Sequence, residues 1–244
     1  SYTIDVYRGR FVPVRNFFKF AFFLTFFPHL VAGPIVRASD FLPQLDRRPT
    51  LLPGAVGEGL FLIATGMVKK VAFADYLAIN HIDRVFDDPS AYASVEVLLA
   101  LYAYTLQIYC DFSGYTDVAR GSAKLFGLEL PENFDRPYQS TSPAEFWRRW
   151  HMTLSSWLRD YLYYPLGGSK ARPLRVYFNL GLTMFLIGLW HGAAWTFVVY
   201  GLLQAGAMLL HRFLHLRSGR THDTVDKGWL RALKVLGTLH FVVL

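Results

Sequence analysis

VYFNLGLTMFLIGLW (176–190), HG (191–192) and AAWTFVVYGLLQAGAMLL (193–210) set one imidazole between two apolar runs that carry no charged side chain. A spanning helix needs about 20 mostly apolar residues, so the two runs read as a pair of membrane helices meeting at His191-Gly192. The rest of the chain supports this. Of 244 residues, 53% are hydrophobic, 17% aromatic and 18% charged, and the mean hydropathy is positive, which is too apolar for an ordinary soluble domain.

Phe17 to Val36 is a second spanning candidate, with Lys19 at one end and His29 inside. Its Pro28, Gly33 and Pro34 predict a kinked or broken helix. Gly54 to Ile79 has an apolar core, Leu60 to Val68, interrupted by Lys69 and Lys70, which suits a short span or a helix bent at the interface. Val95 to Cys110 continues into Asp111-Phe-Ser-Gly-Tyr-Thr-Asp117 and brings two carboxylates near membrane depth. Leu128 to Thr141 is polar and holds two prolines, so it reads as a loop. Trp229 to Leu244 begins a last span. The expected fold is an all-α, multi-span membrane bundle of five to seven apolar or interfacial helices, one membrane-embedded core over 1–244. Both ends read as cut from a longer chain, with no initiator Met and a final apolar run that stops short.

The net charge of +7 comes in short basic clusters between apolar runs: Arg8, Arg10, Arg15 and Lys19, then Arg47 and Arg48, then Lys170, Arg172 and Arg175. Loops at a membrane surface have this pattern, and anionic lipid headgroups explain it better than nucleic acid does. One cysteine, Cys110, excludes a disulfide framework, and no metal site is visible. Walker-type loops, G-x-S-x-G and H-E-x-x-H are also absent.

Ser142-Pro143-Ala144-Glu145 is a capping box with proline at the first helical position, predicting a helix from here to about Tyr164, before Pro165. It is amphipathic and rich in tryptophan, as an interfacial or funnel-lining helix would be. Within it, Trp147, His151 and Ser155 fall four apart on one face.

Burying His191 between apolar runs costs free energy unless the ring has a partner or a cavity, which makes it the leading site candidate; the competing reading is a structural histidine bonded to a neighbouring helix's carbonyl. Gly192 and Ala193 have no bulk, so another group can approach the ring. His151 reads equally as interface anchor or reactive group. Two histidines on separate helices suit acyl transfer, one taking a hydroxyl proton and the other positioning or stabilising charge. His81, His211, His215 and His222 read as solvated or headgroup-facing. Asp111 and Asp117 form a cation or proton site in a transporter reading, or pair with a cation such as Arg120 or cap a helix end. A scaffold for polysaccharide export is a third class.

Phe27-Pro-His-Leu-Val-Ala-Gly-Pro-Ile35, Asp111 to Asp117, Glu145-Phe-Trp-Arg-Arg-Trp-His151-Met-Thr-Leu-Ser155, Arg159-Asp-Tyr-Leu-Tyr-Tyr-Pro-Leu-Gly-Gly168 and Leu189-Trp190-His191-Gly192 resemble the membrane-bound O-acyltransferases, on their bacterial alginate O-acetyltransferase and D-alanyl-lipoteichoic acid branch. The resemblance implies a helical funnel through a bacterial inner membrane, in which a cytoplasmic acyl donor meets an acceptor hydroxyl from the other side. It makes the histidine matching His191 essential and the one matching His151 supporting. The expected donor is acetyl-coenzyme A or another acyl thioester, and Arg148, Arg149 and Arg159 read equally as contacts for its phosphates or as cations snorkelling to the membrane surface. The expected acceptor is an exported polysaccharide or a periplasmic acetylation protein.

Overall fold

The computed structural model describes residues 1–47, 54–218 and 228–243, so Arg48 and His222 lie outside it. No strand occurs among the described residues, which divide into two compact units, those of 1–133 with 243, and those of 134–242.

The first unit begins with α1 (Tyr2–Tyr7) and α2 (Phe17–Thr25). The apolar run from Phe17 is not one spanning helix. At about 1.5 Å per residue, α2 is roughly half a bilayer core long. A 3-10 turn, Phe27–His29, begins around Pro28, and Val31 adopts φ 61. Gly33 is folded so tightly under this turn that a Cβ would lie 2.4 Å from the Pro28 carbonyl oxygen. Short α3 (Ala38–Phe41) follows and plants Phe41, fully buried, among Phe23, Phe26, Ala119 and Ala123.

From α4 (Ala55–Met67) the chain stays helical through π turns at Val68–Asp75 and Ala78–Ile82 into α5 (Asp83–Asp87). Lys69 and Lys70 therefore widen the helix without ending it. They sit opposite α6 (Ser94–Leu125), a single helix that carries the apolar run straight on through Asp111 and Asp117. The two helices meet through small residues in reverse order, Gly66 against Gly114 and Gly59 against Gly121. A Cβ on Gly66 would be 2.5 Å from the Gly114 carbonyl oxygen.

In the second unit, α7 (Pro143–Arg149) and α8 (Met152–Leu158) replace the single helix expected from Ser142. Ser142 Oγ accepts from the Glu145 amide at 3.2 Å, as a cap should. The Glu145 carboxylate closes on the Thr141 amide and hydroxyl instead of the cap residue's own amide. The break falls at His151, which takes a left-handed backbone, φ 44 and ψ 53. The carbonyls that would have continued the ladder find other donors: Ser155 Oγ–H reaches Trp147 O at 3.0 Å and Trp150 O at 3.4 Å, and the Asp135 amide reaches Arg149 O at 3.0 Å. Ser155 thus joins the two short helices, a role its four-residue spacing from His151 did not foretell.

α8 runs through a π turn, Arg159–Tyr163, to a tight turn at Gly167 and Gly168. Then come α9 (Pro173–His191), α10 (Trp195–Ser218) and α11 (Gly228–Val243). The predicted junction at His191-Gly192 is where α9 ends. α9 and α10 pack antiparallel, close enough that a Cβ on Gly188 would lie 2.5 Å from Gly201 Cα. Phe146, Trp147, Met184, Ile187 and Ala205 form the core. Helices α6, α9 and α10 are long and apolar enough to cross a membrane.

Candidate functional site

His191 is the last residue of α9, and its Nδ1 lies 2.6 Å from the Ile187 carbonyl oxygen. A carbonyl only accepts, so Nδ1 carries the proton and donates it one turn back along its own helix. The Nε2 lone pair then faces away from that bond, the tautomer a proton acceptor needs. Three aromatic rings surround the imidazole: Trp190 edge-on at 5.1 Å, Phe197 stacked at 6.4 Å and 17°, and Tyr200 edge-on at 6.4 Å. Two features differ from the sequence reading. The carbonyl partner belongs to α9 rather than to a neighbouring helix, and the ring is exposed on the surface of this chain instead of buried.

Gly192 leaves the room that its sequence suggested, and Phe197 fills it. A Cβ there would lie 2.3 Å from Phe197 Cε2. Gly192→Ala is expected to swing that ring off His191, lowering any activity that depends on the imidazole roughly tenfold or more while a rotatable aromatic limits the stability loss to about 1 kcal/mol. Parallel activity and melting measurements check this; equal loss of both would make Gly192 a folding residue only.

His151 is the buried member of the pair, 5% exposed, at the break between α7 and α8. Trp190 lies 6.3 Å from its ring as well as beside His191, so one indole touches both imidazoles. Burial, and secondly the proximity of His191, hold His151 down to about 4 from 6.5. It is therefore neutral at physiological pH. An unfolded chain takes up this proton below pH 6.5 and the folded chain only near 4. Stability thus falls as pH drops through that window and levels off beneath it. His151→Gln is expected to remove this share of acid sensitivity, on the order of 3 kcal/mol, in melts of the detergent-solubilised protein across that range.

α7 is fixed by Trp147 Nε1 donating to Gln204 Oε1 on α10 at 3.1 Å, a buried pair. Gln204, a lone amide in an apolar span, is a positioning residue that the sequence reading passed over.

The three arginines read as phosphate contacts or surface cations have different surroundings. Arg149 pairs with Glu145 at 2.8 Å and donates to the Asp135 carbonyl at 3.3 Å, making it an internal strut. Burial pushes Glu145 up, but hydrogen bonds from Thr141 and the Arg149 charge outweigh it and hold the carboxyl below its usual range. Arg159 Nε bonds to Asp160 at 2.9 Å. Arg148 is exposed, and with Arg159 it lines a cavity of about 660 Å³ that also reaches Trp147, Ser155 and Ile187. His211 and His215, read earlier as headgroup-facing, line it too.

Asp111 and Asp117 sit in the first unit, each bound to a lysine. Lys70 bridges Asp111 at 2.7 Å and Asp75 at 2.8 Å, and Lys69 meets Asp117 at 2.5 Å. Arg120, the partner suggested by proximity in sequence, pairs with Glu132 instead.

The membrane-bound O-acyltransferase family matches residues 12–233. The chain is 44% identical over 218 residues to a probable alginate O-acetylase AlgI of Azotobacter vinelandii, covering 88% of this chain and 43% of that protein. It is 41% identical over 224 residues to a peptidoglycan O-acetyltransferase of Helicobacter pylori, covering 90% and 42%. A teichoic acid D-alanyltransferase of Bacillus subtilis is 31% identical over 242 residues, covering 92% and 59%. The chain thus spans less than half the length of the first two relatives. With the match running over most of its residues, the chain belongs to the membrane-bound O-acyltransferase family.

Proposed function

We propose that the protein transfers an acetyl group from a cytoplasmic thioester, acetyl-coenzyme A or a similar donor, to a hydroxyl of an exported, alginate-like polysaccharide or of a periplasmic relay protein. The setting is the bacterial cytoplasmic membrane. The observation that carries this reading is the Nδ1 bond from His191 to Ile187, which reserves Nε2 as a base.

In the step so built, Nε2 removes the acceptor hydroxyl proton as its oxygen attacks the thioester carbonyl. The tetrahedral intermediate collapses, the carbon–sulfur bond breaks, and the thiolate leaves with the proton that His191 held. His151, neutral and buried, positions the acceptor or donates to the developing oxyanion. The names of the relatives, acetylases of alginate and of peptidoglycan, favour an acetyl group and an exported polymer.

The test uses the full-length protein with a labelled acetyl thioester and polysaccharide. Label appearing as an ester on the polymer supports direct transfer, and label trapped on the protein without acceptor would instead indicate an acyl-histidine route. A cation-transporter reading rests on Asp111 and Asp117, each already engaged by a lysine. No label transfer together with ion flux in liposomes would overturn the acyltransferase proposal in its favour.

A further inference from the structure

A second recess, of about 900 Å³, runs along the α9–α10 hairpin and shares no lining residue with the cavity that Arg148, Arg159 and Arg212 line. Its α9 wall is Phe178, Leu182 and Phe185, spaced four and three apart. Leu180, Met184 and Ile187 of the first cavity repeat that pattern two residues later, about 200° around the helix, so the two recesses lie on opposite faces of α9. Gly206 has nothing within 4 Å of its Cβ position, and Gly181 meets only the Leu209 side chain, at 3.5 Å. Two absent side chains thus hollow an apolar floor. The polar side chains on the wall, Arg172, Arg175 and Tyr177, all belong to the N-cap and first turns of α9. No aspartate or glutamate lines the recess, and the sequence has none from 161 to 222. Arg175 lies over the Phe178 ring at 5.1 Å, and among the described residues neither guanidinium has an ion-pair partner.

A membrane-crossing hairpin touches lipid on every open face, but the dimensions and charge of this recess suit one kind. At 19 residues α9 is about 28 Å long, close to the roughly 30 Å of a bilayer's hydrocarbon core, so its first turn lies at one membrane surface. From Arg175 to Phe185 the wall runs about 15 Å, the hydrocarbon depth of a single leaflet. Two guanidiniums without acidic partners at headgroup level favour phosphate oxygens. A zwitterionic headgroup brings its own cation to that phosphate and gains less from them than an anionic one does. We propose that the recess holds one anionic phospholipid of the bilayer, its phosphate on Arg172 and Arg175 and one acyl chain along the Phe178–Phe185 wall over Gly181 and Gly206. Holding a lipid needs no reaction, so the inference stands apart from acyl transfer.

The experiment is native mass spectrometry of the full-length protein in detergent, titrated with phosphatidylglycerol or with phosphatidylcholine of matched chains. Phosphatidylglycerol is expected to bind more tightly. Its affinity should weaken roughly fivefold in Arg175→Gln and about 25-fold when Arg172→Gln is added, while phosphatidylcholine changes little. Gly206→Leu fills the groove without removing either charge and should weaken both lipids about tenfold. Both arginines are exposed and Gly206 faces open space, so these variants should melt near wild type; should one kind fail to fold, the other carries the test. Arg231→Gln, which removes an exposed cation of α11, is the control and should bind as wild type. Equal affinity of the wild type for the two lipids, or retention of neither because further helices of the full-length protein fill the groove, would overturn the inference. So would unchanged phosphatidylglycerol binding in the double arginine variant or in Gly206→Leu, or an Arg231→Gln loss equal to that of Arg175→Gln. Glycerol phosphate, the headgroup without chains, binding as tightly as the lipid would overturn it as well.

Discussion

Acetyl transfer to exported polysaccharide in cells carrying full-length His191→Ala is expected to fall about 10²- to 10⁴-fold, the usual contribution of a positioned base. Membrane abundance should hold, because the ring makes a single bond to its own helix and lies exposed at the end of α9. Alanine is also a better helix former than histidine, so the α9 terminus keeps its geometry. The measurement pairs esterified polymer with protein amount and detergent melting. Transfer near the wild-type rate in a folded variant would make His191 a structural residue and move the chemistry elsewhere. Loss of transfer accompanied by loss of protein would be a stability effect, which a His191→Gln variant separates because its amide keeps a donor for Ile187 O.

Gly188→Ala is expected to have the largest effect on folding. The added Cβ would lie 2.5 Å from Gly201 Cα, 2.7 Å from Gly201 N and 2.7 Å from Phe197 O. All three are backbone atoms, so no rotamer change relieves the clash, and α9 and α10 must separate. Alanine favours a helix over glycine by about 1 kcal/mol, yet overpacking of this kind costs roughly 1 to 3 kcal/mol and also forfeits contacts along the helix pair. A fall in melting temperature of roughly 2 to 10 °C follows. Gly206→Ala on α10 is the matched control, since nothing lies within 4 Å of its Cβ position, and it should melt at or above wild type. Equal melting of the two variants would mean that the hairpin is looser than this contact implies. Because Phe197 both meets Gly188 and stacks on His191, transfer should fall in Gly188→Ala as well.

Membrane character, the α9–α10 hairpin and the place of His191 between its helices were all legible in the sequence, since apolar runs and the residues that interrupt them are local properties. So was the Ser142 cap, whose hydrogen bond spans three residues. The break in the Phe17 to Val36 run was legible too, from Pro28, Gly33 and Pro34, while the shortness of α2 was not. The run's hydropathy fits a span, but the turn that ends α2 depends on Pro28 and Gly33 packing against each other. The break at His151 was invisible because it exists only where Ser155 and Asp135 supply donors to carbonyls that helix propensity alone would have paired. Which arginine is a strut and which faces the cavity likewise turned on Asp135, Glu145 and Asp160.

The sequence by itself determined the helical membrane class and the chemistry-bearing residue types, because hydrophobic periodicity and side-chain identity need no partner to be read. Only the tertiary structure decided the Nδ1 tautomer of His191, the burial and neutrality of His151, and the gathering of Arg148 and Arg212 around one cavity. Each of those depends on the distance between groups that the chain order keeps apart, or on a backbone turn that no local propensity specifies.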